Sequence, residues 1–444
     1  MPDIKLNPIN KKPIITLDLP GSKSIANRVL PLAAMSFGTS IIHNIPSDSE
    51  DVSLMLAALD TLGILVEDIS ANSSTTHKSY KIHGCNGILP NKNAQIFCGN
   101  SGTTIRFLSA ILAFMDGEYI LDGIDRMHER PIKDLVLTLE SIGANISYLK
   151  NTGYPPLKIL PFSDNNKDSI SISGKVSSQY LTGVLLAVSL LKREVTIAVY
   201  DELISKPYVD ITIGLLAKFG VKTLETNQNR SYTINTASIN NSLTGTEYTV
   251  EPDASSASYF LALGAISGDV TINNLSETSL QGDRNFAKVL KLMGANVEYC
   301  EHSIRVTPGA SIQKHNKLTA ININMEDMPD VAMTIAVLAL FANGTTIISG
   351  IHSWKVKETD RLLAIHNELK KLGANVIITD SSITITPPQS INSNVEIDTY
   401  NDHRMAMCFS LVAAYGIPIT IKDYECVNKT FPSYFTVFSD ICYN

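Results

Sequence analysis

Six times along the chain an apolar run of helical length ends at or near a glycine and passes directly into a β-branched strand. The runs are RVLPLAAMSFGTSIIHNI, RFLSAILAFMDGEYILDGI, YLTGVLLAVSLLKREVTIAV, YFLALGAISGDVTINNL, AMTIAVLALFANGTTIISGI and MAMCFSLVAAYGIPITIKDY. Their closing positions, Gly38, Gly117, Arg193, Gly268, Gly344 and Gly416, lie 79, 76, 75, 76 and 72 residues apart. A spacing held over six copies marks a repeat in which each copy is one supersecondary unit. A second pattern runs out of phase with the first: LDTLGILVED, LESIGANISY, LAKFGVKTLE, LKLMGANVEY and LKKLGANVII. Its glycines, Gly63, Gly143, Gly220, Gly294 and Gly373, fit the position just beyond a helix, where positive φ is cheap for glycine. Each unit therefore predicts two helices alternating with short strands. Six units predict an α/β protein of two domains with three units each, helices packed inside or against sheets. The pattern places the division near residue 250, and the first strand, residues 14–19, fits either half.

The helix starts carry the candidate chemistry. Where the first kind of helix begins, the chain reads Pro20-Gly21-Ser22-Lys23-Ser24, Gly99-Asn100-Ser101-Gly102-Thr103 and Ser177-Ser178-Gln179. In the second half it reads Asp253-Ala254-Ser255-Ser256, Pro329-Asp330 and Asn401-Asp402-His403-Arg404. Ser, Asp and Asn there serve first as N-caps, worth about 1 kcal/mol each. Glycine beside Ser and Lys adds something more: it lets a backbone N–H approach a ligand where the helix dipole already favours anions. Gly21-Ser22-Lys23-Ser24 is not a P-loop, since Thr16 stands where the upstream glycine belongs. Lys23, Arg28, Arg106, Arg126, Arg130, Lys357, Arg361, Arg404 and Lys429 gather at these starts and in nearby loops. The run Lys357-Glu358-Thr359-Asp360-Arg361 is the densest, and it opens a helix expected over residues 362–372. On a helix Lys357 and Arg361 would share a face, with Glu358 three residues from Arg361 as its ion-pair partner. Asp330 is a candidate base or a plain cap, and Glu358 a candidate acid.

Composition narrows the class. With 44% hydrophobic and 18% charged residues the chain is globular, and its 444 residues suit two or three domains. The longest apolar stretches, residues 331–342 and 181–191, fall short of the roughly 18 needed to span a bilayer. The opening MPDIKLNPINKK has no apolar or amphipathic leader, so a cytoplasmic location is expected. A net charge of −7 argues against nucleic-acid binding, so any anion site is a local gathering of cations. The six cysteines form no zinc-spaced pair, and buried reduced thiols are expected.

Eleven segments then match one family in order along the chain: PGSKSIANR, GNSGTTIR, DRMHERPI, SSQYLTG, SKPYVDIT, PDASSASYF, QGDRNFA, PDVAMTIA, WKVKETDRL, YNDHRMAM and KTFPSYF. Together they resemble the 5-enolpyruvylshikimate-3-phosphate synthase family. The resemblance implies two domains of three βαβαββ repeats each, an inverse α/β barrel fold, with residues 21–250 on the shikimate 3-phosphate side. Residues 1–20 and 251–444 would form the second domain, with substrates in the cleft. It implies transfer of the enolpyruvyl group of phosphoenolpyruvate to the 5-hydroxyl of shikimate 3-phosphate, with release of phosphate. Carried over by motif position, Lys23, Ser24, Arg28, Ser177, Ser178, Gln179, Ser205, Tyr208, Asp330, Ser353 and Lys357 would hold shikimate 3-phosphate. Lys23, Asn100, Gly102, Arg126, Gln179, Glu358, Arg361, His403, Arg404 and Lys429 would hold phosphoenolpyruvate. Asp330 resembles the base for the 5-hydroxyl, Glu358 with Lys357 the proton donor to the methylene carbon, and Lys23 serves both substrates. No metal or organic cofactor is implied, and a monomer is expected, with no nucleic-acid or membrane partner.

Two positions depart from the family. Ser353 stands where many members have an asparagine that contacts the shikimate substrate, which implies a shorter or water-bridged contact. Phe107 stands where many have proline, beside the phosphoenolpyruvate loop, which bears on the response to the inhibitor glyphosate; Gly102 itself implies sensitivity. The rival reading is the enolpyruvyl transferase acting on UDP-N-acetylglucosamine, which carries a reactive cysteine in the loop before its Arg-Pro. Residues 123–131 contain none. A non-catalytic ligand-binding relative, or one segment of a multifunctional polypeptide, are the readings from other classes.

Overall fold

Five four-stranded sheets with one shared order make up most of the β structure. In the unit that follows the sequence without interruption, strand Asn93–Phe97 leads through helix Gly102–Leu112 to strand Glu118–Asp122, parallel to it. Helix Lys133–Glu140 then leads to Asn145–Tyr148, and Leu157–Leu160 returns antiparallel between the second and third strands. That is a βαβαββ unit, and the sheets around Glu194–Val199 and Thr346–Ser349 repeat it. The computed structural model describes residues 2–9, 12–70, 78–226, 228, 230–238 and 241–443. Met1, Asn10 and Lys11 of the opening stretch lie outside the described residues.

Two sheets take their first strand from a distance. Glu247–Thr249 lies parallel to Thr39–Ile45, and Ile14–Leu17 lies parallel to Asp269–Asn273. The sixth sheet has three strands: Val395–Ile397 runs parallel to Ile419–Ile421, whose other side takes Ile4–Leu6 antiparallel. By internal contacts the chain divides into two compact units, residues 21–250 and residues 1–20 with 251–444.

The two kinds of helix differ in burial, as their sequences require. All 13 residues of Ala254–Ile266, all 11 of Gly102–Leu112 and all 12 of His403–Ala414 are buried. A helix apolar on every side has nowhere to go except the core. The second kind is one-sided: Glu50–Thr61 buries Asp51, Val52, Met55, Ala58 and Leu59. The five glycines ending these helices have φ between 82° and 109°, the left-handed conformation their spacing predicts. Among the described residues, no helix is long and apolar enough to cross a membrane. The expectation of buried thiols fails at Cys300, exposed on the outward face of strand Asn296–Cys300, and Cys85 is only half-buried.

Candidate functional site

In the 21–250 unit the starts of three core helices are tied together by side chains. Lys23 Nζ lies 2.9 Å from Asp51 Oδ2, and the Asp51 carboxylate is buried. Asn27 donates to the Asp51 carbonyl at 3.3 Å and to Thr103 Oγ1 at 2.7 Å, which joins helix Lys23–Met35 to helix Gly102–Leu112. Arg106 donates to Gln179 Oε1 at 2.6 Å and to the Pro131 carbonyl at 3.2 Å, reaching helix Ser178–Val188. Arg130 donates to the Asn100 carbonyl at 2.8 Å and to its Oδ1 at 3.1 Å. Gly102 sits between these two arginines: a Cβ there would stand 2.6 Å from Arg130 Nη2 and 2.9 Å from Arg106 Nη1. The missing side chain thus keeps a guanidinium-lined slot open at a helix start, the arrangement that suits an anion.

Arg28 is fixed on the inner side of the same region. Its guanidinium donates to Thr212 Oγ1 at 2.9 Å, to the Ser24 carbonyl at 2.5 Å and to the Tyr208 carbonyl at 3.1 Å. It lies 5.1 Å from the centroid of the Phe107 ring, so Phe107 supplies a cation–π face. Burial pushes Arg28 down to about 10, still charged at neutral pH. Ser177 caps its helix by accepting from Gln179 N at 3.2 Å, Ser178 is buried, and Ser205 is buried with φ 54° immediately before helix Lys206–Lys218. Arg126 pairs with Glu129 at 2.7 Å, with its side chain about a third exposed.

In the other unit the centre is Asp330. Its Oδ1 accepts from Arg361 Nη1 at 2.9 Å and lies 3.3 Å from Lys357 Nζ, and its Oδ2 accepts from Arg404 Nη2 at 2.8 Å. Arg361 is 1% exposed and also donates to Asp402 Oδ2 through Nε at 2.7 Å and to Glu358 Oε2 through Nη2 at 2.9 Å. Trp354 Nε1 donates to the Pro329 carbonyl at 2.6 Å, so a buried indole fixes the peptide before Asp330. Burial alone would raise the Asp330 carboxyl, but Arg404, Lys357 and Arg361 outweigh it and hold it well below the usual carboxylate range. Burial lowers Lys357, with Asp330 opposing. Asp283, which accepts from the Ser255 hydroxyl, is raised to about 6, first by burial and then by the Asp330 charge. His403 is buried with Nδ1 3.6 Å from Asp402 Oδ1; Lys429 is buried at the end of the turn Tyr424–Lys429, and Ser353 is buried in the turn His352–Val356.

Two sequence expectations change. The charged run Lys357 to Asp360 is not helical: the helix is Arg361–Lys371, so Lys357 and Arg361 meet on Asp330 rather than along one helix face. Asp330 is not the N-cap of the helix that follows it: Ala332–Leu338 has Val331 at that position, without a side-chain bond. Asp402 does cap its own helix, His403–Ala414, as the sequence predicts, accepting from Arg404 N at 2.9 Å while it holds Arg361. The sequence marks Asp402 only as a cap, and it does not single out Asp51, Tyr259 (3.4 Å from Arg404 Nη1) or Asp283. Its place beside Arg404 in the polar helix start Asn401-Asp402-His403-Arg404 was the available signal for a further role of Asp402. Among the described residues no group of three or more His, Cys, Asp or Glu is placed to hold a metal ion.

Comparison with known proteins gives one answer. A family model described as EPSP synthase (3-phosphoshikimate 1-carboxyvinyltransferase) matches residues 12–438. The 3-phosphoshikimate 1-carboxyvinyltransferase of Ralstonia nicotianae is 48% identical over 432 residues, 96% of each chain. The chloroplastic 3-phosphoshikimate 1-carboxyvinyltransferase 1 of Nicotiana tabacum is 45% identical over 431 residues, 95% of this chain and 82% of that one. The structure of EPSP synthase from Acinetobacter baumannii superposes with a TM-score of 0.79 at 25% identity, over 99% of this chain and 97% of that one. The enolpyruvyl transferase NikO from Streptomyces tendae shares the fold at a TM-score of 0.72 and 14% identity, over 99% and 98% of the two chains.

Proposed function

The chain belongs to the EPSP synthase family, the 3-phosphoshikimate 1-carboxyvinyltransferases, and from that premise we propose which of its residues bind and which move protons. The reaction joins two substrates that each carry a phosphate and a carboxylate, and the buried cations suit them. Lys23, Ser24, Arg28, Ser177, Ser178, Gln179, Ser205 and Tyr208 take shikimate 3-phosphate, with Ser353 and Lys357 as further ligands. Arg361, Arg404, His403 and Lys429 take phosphoenolpyruvate, with Lys23, Asn100, Gly102, Arg126 and Gln179 as further ligands. Arg28 is supported most directly, because three of its donors are already aimed by Thr212 and two carbonyls.

The observation that carries the chemical assignment is Asp330 held by three cations. A carboxylate in that setting is a poor base. Substrate phosphate and carboxylate compete for the same Arg361, Arg404 and Lys357, and each cation that turns to a substrate oxygen returns basicity to Asp330. Asp330 then accepts the proton of the 5-hydroxyl as its oxygen bonds to the central carbon of phosphoenolpyruvate, and Glu358, beside Lys357, delivers a proton to the methylene carbon. Loss of one proton from the resulting methyl group, with departure of phosphate, restores the alkene of the product. Binding thereby switches on the base, which keeps proton abstraction coupled to a filled site. A continuous assay of phosphate release with shikimate 3-phosphate and phosphoenolpyruvate tests the reading. Release is expected only with both substrates present, and release from phosphoenolpyruvate alone would overturn it. A cytoplasmic monomer carries over as part of the proposal; light scattering of the purified chain reads the oligomeric state.

A further inference from the structure

Glu368 breaks the rule of its own repeat. Five residues before the helix-ending glycine, the other four units of this kind carry Ala58, Thr138, Leu215 and Val289, all buried and none charged. The fifth carries Glu368, whose side chain is 0% exposed. A buried carboxylate in a core position costs stability unless its oxygens are satisfied. Those of Glu368 are: Tyr400 Oη donates to Oε1 at 2.8 Å, Asp398 N donates to Oε2 at 3.1 Å, and Lys371 Nζ lies 2.7 Å from Oε2.

What these bonds hold is a turn in an uncommon conformation. Tyr400 and Asn401 are consecutive non-glycine residues with φ of 54° and 53°. In the equivalent turn before helix Gly102–Leu112, the residue two before the cap is Gly99, with φ 53°. Glycine adopts that conformation without steric cost, and tyrosine does not. Such outliers persist where the surroundings over-determine them, and they gather at functional sites. Directly after the turn come Asp402, which holds Arg361, and Arg404, which holds Asp330. Arg361 and Glu368 are seven residues apart on helix Arg361–Lys371, so one face of that helix grips the turn at both ends.

We propose that Glu368 is a positioning residue for phosphoenolpyruvate: through Tyr400 and the Asp398 amide it holds the left-handed turn that aims Asp402 and Arg404. The inference rests on Arg404 as a phosphoenolpyruvate ligand. Glu368 touches no substrate itself; it sets the angle at which the helix start presents its arginine.

The test uses Glu368→Leu, the residue type that Leu215 already places at this position in a sister unit. Steady-state kinetics, varying each substrate in turn, should show KM for phosphoenolpyruvate raised about tenfold and KM for shikimate 3-phosphate within about twofold of the parent. Adding Tyr400→Gly, which makes the left-handed turn cheap again, should recover most of that loss. Tyr400→Phe removes only the hydroxyl bond and gives the same direction of effect should Glu368→Leu fail to fold. Arg404→Lys, measured alongside, tests the underlying reading on its own: an unchanged KM for phosphoenolpyruvate there removes Arg404 as a ligand. With Arg404→Lys impaired, a parental phosphoenolpyruvate KM in Glu368→Leu, or equal rises for both substrates, overturns the positioning role. A fall in melting temperature with both KM values intact assigns Glu368 to stability alone and overturns it too.

Discussion

Replacing Arg361 by lysine keeps the charge and removes the fork, and the structure sets the size of the effect. Had Arg361 balanced only Glu358 at the surface, the change would cost 0–1 kcal/mol. Instead its guanidinium is 1% exposed and divides its donors among Asp402 at 2.7 Å, Glu358 at 2.9 Å and Asp330 at 2.9 Å. An ammonium is a single point at the end of a different stem and keeps one of these partners well. Two charge-assisted bonds lost, at about 1.5–3 kcal/mol each, come to roughly 3–6 kcal/mol. No penalty for an uncompensated charge is added, since the positive charge remains. In a unit of this size each kcal/mol moves the melting temperature by about 2–4 °C, so a drop of about ten degrees is expected. Binding gives a second, separate readout: KM for phosphoenolpyruvate should rise at least about tenfold, or 1.4 kcal/mol, with affinity for shikimate 3-phosphate nearly untouched. Differential scanning calorimetry and steady-state kinetics on the one variant measure both. A melting temperature within about 2 °C of the parent refutes the hub, and an unchanged phosphoenolpyruvate KM refutes the clamp.

Asp330→Ala and Glu358→Gln should each lower kcat by about 10²–10⁴, the usual loss when a placed proton-transfer group is removed, and parental turnover in either variant dismisses that residue. Asp283 keeps its proton up to about pH 6 in the folded chain and to about 3.9 when unfolded, so its contribution to stability falls as pH rises from 4 to 6 and stays lost above. Asp283→Asn should therefore stabilise the chain by about 3 kcal/mol at pH 7–8 and by little at pH 4, read from denaturant midpoints at the two pH values; an equal gain at both would contradict the shift. Gly102→Ala sets a methyl against the Arg130 and Arg106 guanidinia. Both can swing aside, so the melting temperature should hold while KM for phosphoenolpyruvate and the inhibition constant for glyphosate both rise; unchanged values for both would show that the slot is not where either anion sits.

The repeat, the helices and their closing glycines were legible in the sequence because each is written in local periodicity. The distant strand pairings were not. Ile14–Leu17 meets Asp269–Asn273, and Glu247–Thr249 meets Thr39–Ile45, across more than 200 residues of chain that carry no pattern of their pairing. The charged cluster was legible as a list and not as a network. Asp330 looked like a cap because Pro-Asp at a helix start usually is one, whereas its cations arrive from two distant segments, Lys357 with Arg361 on one and Arg404 on the other. Glu368 was visible in principle, as the one charged residue among five aligned positions, but only burial turns that oddity into an argument.

The borrowed strands have a consequence for how the chain is made. Residues 21–250 supply every strand of their own three sheets, so that unit can finish folding while the rest is still being synthesised. Residues 4–6 and 14–17 leave the ribosome about 415 and 255 residues ahead of their partners at 419–421 and 269–273. At about 5–20 residues per second the first strands wait on the order of ten seconds to more than a minute. Through that interval they are unpaired β segments, open to the wrong neighbour. An amino-terminal fusion that folds early and holds them away would leave two sheet edges bare in the last-made unit, with the first-made unit already complete and unaffected.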